Sequence, residues 1–426
     1  MKKNIKKFIK KYFKNNLFFA IFCILFALLL LTRFYGMEEK SPFGFDQVDN
    51  AWAAKDIIVD HKFPLVGMQA KVNTGLFIGP YYYYLISPFY LITNLDPIAS
   101  IFIAGLTAVF TFLVIYFVTR SIFNEKVAIL AIFINVVSSY IFELDRVQWP
   151  VNFIVPISFL ILFSLYKICN NNPKYFMLLA ASFGFSLHIH FTSVFYIILI
   201  ALAIPFIPRN KKTLRYFLFS IFIFLIFVIP IIVGLIETSI GISPTSYLSN
   251  SFHGFHLRRF LQIIGDEFIE FNAILKFPYA IYVSIFLFLT FIFLLLKEKN
   301  LKHKFIFIYL LIVWMLVPWI VFSTYSGEIT NYYFGITRPV AILTFSYLIY
   351  RLVTLNRIYI TFLLALMLIY FSISNLYYFF SMGPVGLPFH RSVVLEKISK
   401  GEKVEFVHGD PQSYIYYLLK QYNNEK

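Results

Sequence analysis

Apolar runs of 16 to 22 residues recur along the whole chain, from LFFAIFCILFALLLL after residue 16 to IYITFLLALMLIYFSI after residue 357. Runs this long exceed ordinary strands, and there are too many of them for one soluble core. They match the ~20 residues a helix needs to cross a hydrocarbon layer of ~30 Å. A β-barrel would show short segments of strict alternation instead, and the sequence has none. The chain must therefore fold as a bundle of membrane helices. Composition agrees, with 60% hydrophobic and only 14% charged residues. The net charge of +16 invites a nucleic-acid partner, but much of the positive charge sits in short linkers between apolar runs. Membrane topology explains that placement directly, so no nucleic acid is expected. Cys23 and Cys169 fall within or beside apolar runs and offer neither a disulfide framework nor a metal cluster.

The runs predict an all-α polytopic membrane protein of about 11 transmembrane helices, with a range of 10–13. The expected spans are near 17–34, 97–119, 127–142, 153–168, two within 176–207, 216–236, 277–296, 304–322, 338–350 and 358–378. Seven of the first 16 residues are lysine, which places the N-terminus in the cytoplasm, and the first apolar run is read as a retained helix rather than a cleaved signal. Residues 1–380 then form a transmembrane domain in the cell membrane. Its first extracytoplasmic loop, 36–96, is large and contains juxtamembrane helices, and a second outer segment covers 237–276. Residues 381–426 read as a small extracytoplasmic appendage. With this assignment the inner segments hold 21 of the 37 Lys and Arg but only Glu125 and Glu298 of the acids, as the positive-inside rule requires.

The first loop carries the most suggestive chemistry. In FGFDQVDNAW, Asp46 and Asp49 stand one helical turn apart and share a face. Such a pair suits a general base tuned by a second acid, although a solvated loop with an Asp cap uses the same residues. Lys71, with Asn73, could meet a phosphate beside a glycine-permitted backbone. Asp145 and Arg146, in ELDRVQWPVN, form a second polar cluster. His188 and His190 flank Ile189 at a helix break and cannot share one helical face, so at most one is expected to bond a phosphate or substrate. Arg258 and Arg259 lie in a basic patch on the outer side. Glu328, Tyr332, Tyr333 and Arg338 gather at the outer end of the 338–350 run, where an arginine before a proline can sit at a helix start. No compact metal-ligand motif is present, so no cofactor is required and a divalent cation is left open.

Acids, histidines and arginines on one membrane face form the inventory for transfer from a lipid-linked phosphate donor. A lipid-linked-sugar flippase or solute transporter would more typically place its polar groups at mid-membrane in broken helices. An O-antigen polymerase or ligase would place its main polar loop late in the chain.

The order of features resembles the polyprenyl-phosphate-sugar-dependent membrane glycosyltransferases of the C-type fold, which include protein mannosyltransferases and lipid A aminoarabinose transferases. The resemblance covers roughly residues 17–380. It rests on F-D-x-x-x-D after the first span, then G-P-Y-Y-Y-Y-L, an acid–arginine pair with W-P-x-N, a histidine at a later helix junction, and a late Tyr-Tyr. It implies that Asp46 is the catalytic aspartate. Gln47 stands where the family often has a second acid, so Asp49 is the candidate for that task. It further implies phosphate contacts from Lys71 and Arg338, inverting transfer of a hexosyl or pentosyl group, a polyprenyl-phosphate-sugar donor drawn from membrane lipid, and a glycan, lipid or protein acceptor.

Overall fold

The computed structural model describes residues 16–69, 76–237, 249–275, 280–299, 301, 303–355 and 357–422. Within them the chain is helical apart from one two-residue pair of strands. Six helices are long and apolar enough to cross a membrane: α1 (Asn16–Phe34), α4 (Ala99–Ile122), α7 (Ile154–Cys169, with the preceding turn from Pro150), α10 (Lys211–Glu237), α13 (Lys304–Ser323) and α15 (Ile358–Ser381). A seventh span results if α5 (Glu125–Val137) and α6 (Ser139–Asp145), bent by 69°, count as one. The chain is a multi-pass helical membrane protein.

This corrects the expectation of about eleven spans. The 176–207 stretch forms α8 (Phe176–Ser186) and α9 (Val194–Ala203), of 11 and 10 residues. At 1.5 Å per residue, each reaches only about half of the ~30 Å apolar layer. The runs at 277–296 and 338–350 become α12 (Ala280–Lys297) and α14 (Arg338–Thr354), also below spanning length. The apolarity of α14 has another cause. Every residue of α14 from Pro339 to Ile349 is buried against protein, whereas α10 and α15 are almost wholly uncovered, as lipid-facing helices would be. Hydropathy alone does not separate burial in protein from burial in lipid.

The site is positioned by the first loop and its ties. The described residues of 36–96 include α2 (Phe45–Ile58) and α3 (Tyr81–Ile92). The bend between α5 and α6 is held by Arg33 at the end of α1. Breaking α5 at Ser138 strands carbonyls that an unbroken helix would satisfy, and the buried Arg33 guanidinium donates to those of Asn135 (3.0 Å) and Val136 (2.9 Å). It also donates to Asp145 Oδ2 at 2.7 Å. Arg146 returns the arrangement by donating to carbonyls at and just beyond the end of α1, those of Thr32 (2.9 Å), Tyr35 (3.0 Å) and Gly36 (3.0 Å). Each helix end is thus capped by an arginine from the other segment.

The last segment folds back onto the first loop. Strands β1 (Lys40–Ser41) and β2 (Val385–Gly386) pair in parallel. Arg391, in α16 (Leu387–Ser399), bridges Glu38 and Asp96. Helix α17 (Pro411–Lys420) lies on α2, with Tyr414 edge-on to Trp52 and its hydroxyl donating to Leu95 O at 2.8 Å.

Candidate active site

Helix α2 begins at Phe45, with the Gln47 side chain accepting from the Gly44 backbone N–H at 2.9 Å. The other end of Gln47 donates to Gln148 O at 2.9 Å, which fixes the α2 start against the hairpin after α6. Gln47 is therefore buried and engaged at both ends, and does not line the site. With that start fixed, Asp46 and Asp49 project from one face into a cavity of about 500 Å³. Phe45, Gln69, Phe77, Tyr83, Trp149, His190, Tyr332 and His408 are among the residues that complete its wall.

The two carboxylates have different partners. Burial raises the Asp46 carboxyl above its ordinary value, opposed by a hydrogen bond from the Trp149 side chain and reinforced by the charge of Asp49. Burial raises Asp49 too, opposed by a hydrogen bond from Tyr83 and by the charge of His408. The Tyr83 hydroxyl donates to Asp49 Oδ2 at 3.0 Å. Two acids on one turn, each made harder to ionise by desolvation and each given one donor, form an arrangement suited to taking up a proton.

The two histidines divide. His188 is fully buried and accepts from the Tyr81 backbone N–H through Nδ1 (3.2 Å), so Nε2 carries the proton and donates to Phe227 O (3.0 Å). Its ring stacks on Tyr81 at 4.3 Å. Gly79 makes this possible, because a Cβ there would lie 1.9 Å from His188 Nδ1. His190 faces the cavity. Its Nδ1 accepts from the Thr192 backbone N–H at 3.2 Å, which leaves Nε2–H as the donor toward the cavity. Burial lowers its basicity to about 4, so the ring is neutral in ordinary buffers.

Of the remaining candidates, Tyr332 alone belongs to the described lining. Asp145 and Arg146 are engaged with the helix ends as above. Arg338 donates to the Tyr140 hydroxyl at 3.3 Å and lies over that ring; Tyr140 also bonds Glu270, and Thr337 bonds Glu267. Tyr333 packs at 5.1 Å from His190, beside Tyr332, which does line the cavity. Arg258 and Glu328 are exposed, and Arg259 donates to Gly327 O at 3.2 Å. Lys71 and Asn73 lie outside the described residues. The flanking Gln69 and Phe77 pair across an antiparallel bridge, and both line the cavity. No lysine or arginine appears among the described lining residues. Among the described residues no group of three or more His, Cys, Asp or Glu could hold a metal ion. Tyr83 and His408 were not singled out from the sequence. Tyr83 sits inside a four-tyrosine run with nothing to distinguish it, and His408 is more than 350 positions from its partner.

A membrane bundle with a paired-carboxylate cavity at the head of its first loop defines the class. Comparison with known proteins narrows it. Residues 78–233 match the family model for dolichyl-phosphate-mannose-protein mannosyltransferase. The fold is similar to that of ArnT from Cupriavidus metallidurans bound to undecaprenyl phosphate (TM-score 0.57, 9% identity, 94% of this chain and 75% of that one). It is also similar to the oligosaccharyltransferase of Archaeoglobus fulgidus in the apo form (TM-score 0.59, 13% identity, 95% of this chain and 60% of that one). The latter enzyme, AglB, has also been solved with an inhibitory peptide and a dolichol-phosphate (TM-score 0.54, 13% identity, 95% of this chain and 61% of that one). The alignment to apo ArnT spans 59% of that protein's length. No curated protein matches the sequence.

Proposed function

We propose that the chain is an inverting glycosyltransferase that moves a hexosyl or pentosyl group from a polyprenyl-phosphate or polyprenyl-diphosphate carrier to an envelope glycan, lipid or protein acceptor. We place the N-terminus in the cytoplasm, and the first loop, the active site and the C-terminal appendage at the extracytoplasmic face. The observation that carries the reading is the Asp46–Asp49 face on a cavity in a bundle with a fold similar to that of ArnT, which has been solved bound to undecaprenyl phosphate. The family match over 78–233 supports it.

In this reading Asp46 orients the acceptor hydroxyl or amine and receives its proton. The acceptor attacks the anomeric carbon as the bond to the carrier phosphate breaks, and the electron pair leaves with the phosphate. Trp149 and Tyr332 offer ring faces to the sugar, and His190 Nε2–H offers a neutral donor. The departing phosphate needs a cation that the described lining lacks. We assign it to Lys71, whose segment is bracketed by the lining residues Gln69 and Phe77. Arg258 and Arg259 would meet anionic groups on the approach, near Glu328, while Asp145, Arg146, His188, Tyr333 and Arg338 hold the wall in place.

The test is carrier-phosphate release by purified protein in liposomes, supplied with a panel of polyprenyl-phosphate sugars. Asp46→Asn should lower turnover by about 10²–10⁴-fold while the protein elutes as a folded species. Near-native turnover in that variant would overturn the assignment. Movement of unaltered donor across the membrane would support a flippase instead.

A further inference from the structure

The C-terminal turn between α16 and α17 enters the cavity wall. His408 lines the cavity, and its Nε2 lies 3.6 Å from Asp49 Oδ1. Its ring stands edge-on to Phe45 at 5.5 Å. The turn that delivers it is internally fixed. Asp410 caps α17 through the backbone N–H groups of Gln412 and Ser413. Ser413 Oγ donates to Glu405 O at 2.9 Å and accepts from Val407 N at 3.0 Å, while Asp410 N donates to Val407 O at 3.1 Å. Gly409 takes φ +75° and presses on Phe45, where a Cβ would lie 2.1 Å from the ring. Only glycine adopts that backbone without penalty at so close an approach. A turn clamped at three points and fitted to the first residue of α2 presents its histidine in one place.

We propose that His408 is a positioning residue for Asp49: it supplies the charge partner on the open side of that carboxylate, which makes the C-terminal turn a working part of the site. Tyr83 already occupies Asp49 Oδ2, and His408 Nε2 stands nearest the remaining oxygen, at 3.6 Å. The need is electrostatic. Asp46 and Asp49 face each other's charge across one helical turn, and the described lining offers no lysine or arginine to relieve it. With His408 as its charge partner, Asp49 ionises more readily beside Asp46, so that Asp46 can act as base next to an ionised neighbour. The groups facing this pair are Asp46 on α2, Tyr83 on α3, His190 on the far wall, and Asp410 with His390 behind the turn. The inference deepens the reading of Asp46 and Asp49 as working carboxylates and rests on it.

The experiment reads the contact without any substrate. Full-length protein in detergent is treated with dicyclohexylcarbodiimide, which attacks protonated carboxyls, across a pH series, and labelling at Asp49 is quantified by peptide mass spectrometry. In His408→Gln the pH of half-labelling at Asp49 should rise by at least about one unit, the Coulomb expectation at this separation when screened as in bulk water. His408→Lys, which keeps the cation, should stay at or below the wild-type value. An unchanged value in His408→Gln, or an equal rise in both variants, would overturn the proposal. The two replacements differ in size, so misfolding of one leaves the other readable. Because labelling does not depend on turnover, a failure here is distinct from a failure of the transferase reading.

Discussion

Replacing Asp145 by Asn separates a structural carboxylate from a substrate-binding one. Arg33 is 1% exposed and makes two hydrogen bonds to Asp145, at 2.7 and 3.1 Å, besides those to Thr32 and the α5 carbonyls. Asparagine keeps the shape but removes the charge, leaving a guanidinium buried with only neutral partners. Breaking a buried pair on one side costs about 3–5 kcal/mol. The reverse change, Arg33→Met, strands the carbonyls of Asn135 and Val136 at roughly 1–3 kcal/mol each. Asp145 is itself partly accessible, with 14% of its side chain exposed, and so tolerates the loss of its partner better. The double variant should therefore be less destabilised than the sum of the two single changes, with a coupling of roughly 1–3 kcal/mol. The assay is thermal unfolding of the four proteins in one detergent, read together with donor turnover. If Asp145→Asn unfolds with the wild type but loses turnover, the carboxylate serves substrate and the clamp argument is refuted.

Two further outcomes follow from the site. Burial raises both Asp46 and Asp49, so above the unfolded carboxyl value of ~3.9 the native state binds more protons than the unfolded chain, and stability falls as pH rises through the folded values. Asp49→Asn should thus be more stable than wild type at pH 7, with the gain shrinking toward pH 4; a pH-independent difference in melting temperature would contradict this. Gly79→Ala should lose about 1–3 kcal/mol, because its Cβ would overlap the His188 ring, which is stacked and hydrogen-bonded in place. Gly265→Ala, in helix α11 (Leu257–Leu275) with nothing within 4 Å, should gain roughly 0.5–1 kcal/mol, and equal melting temperatures for the two would count against the packing argument.

What the sequence could show followed from local periodicity. Asp46 and Asp49 share a face because the helical repeat is local, and α2 presents both to the cavity. The apolar runs gave a membrane bundle for the same reason, but they overstated its spans. Residues 338–350 are apolar because α14 is packed inside protein, and the apolar run 176–207 is broken into two short helices, α8 and α9. Neither feature leaves a mark that hydropathy can read. Arg33 ends an apolar run and looks like a snorkelling interfacial residue until the bend at Ser138 is known. Gln47 was legible as a residue that cannot ionise, yet its engagement with Gln148 depends on a hairpin about 100 positions away. The distance in sequence between His408 and Asp49 hides their meeting altogether.

The pairing of β1 with β2 has a consequence for biosynthesis. The strand that joins Lys40 is reached only after α15 has been made, and the turn bearing His408 comes later still. A ribosome-bound chain can place its spans and expose Asp46 and Asp49 well before that wall exists. The cavity is therefore closed by a segment made after α15, and a polypeptide stopped before that segment presents its carboxylates in an open trough.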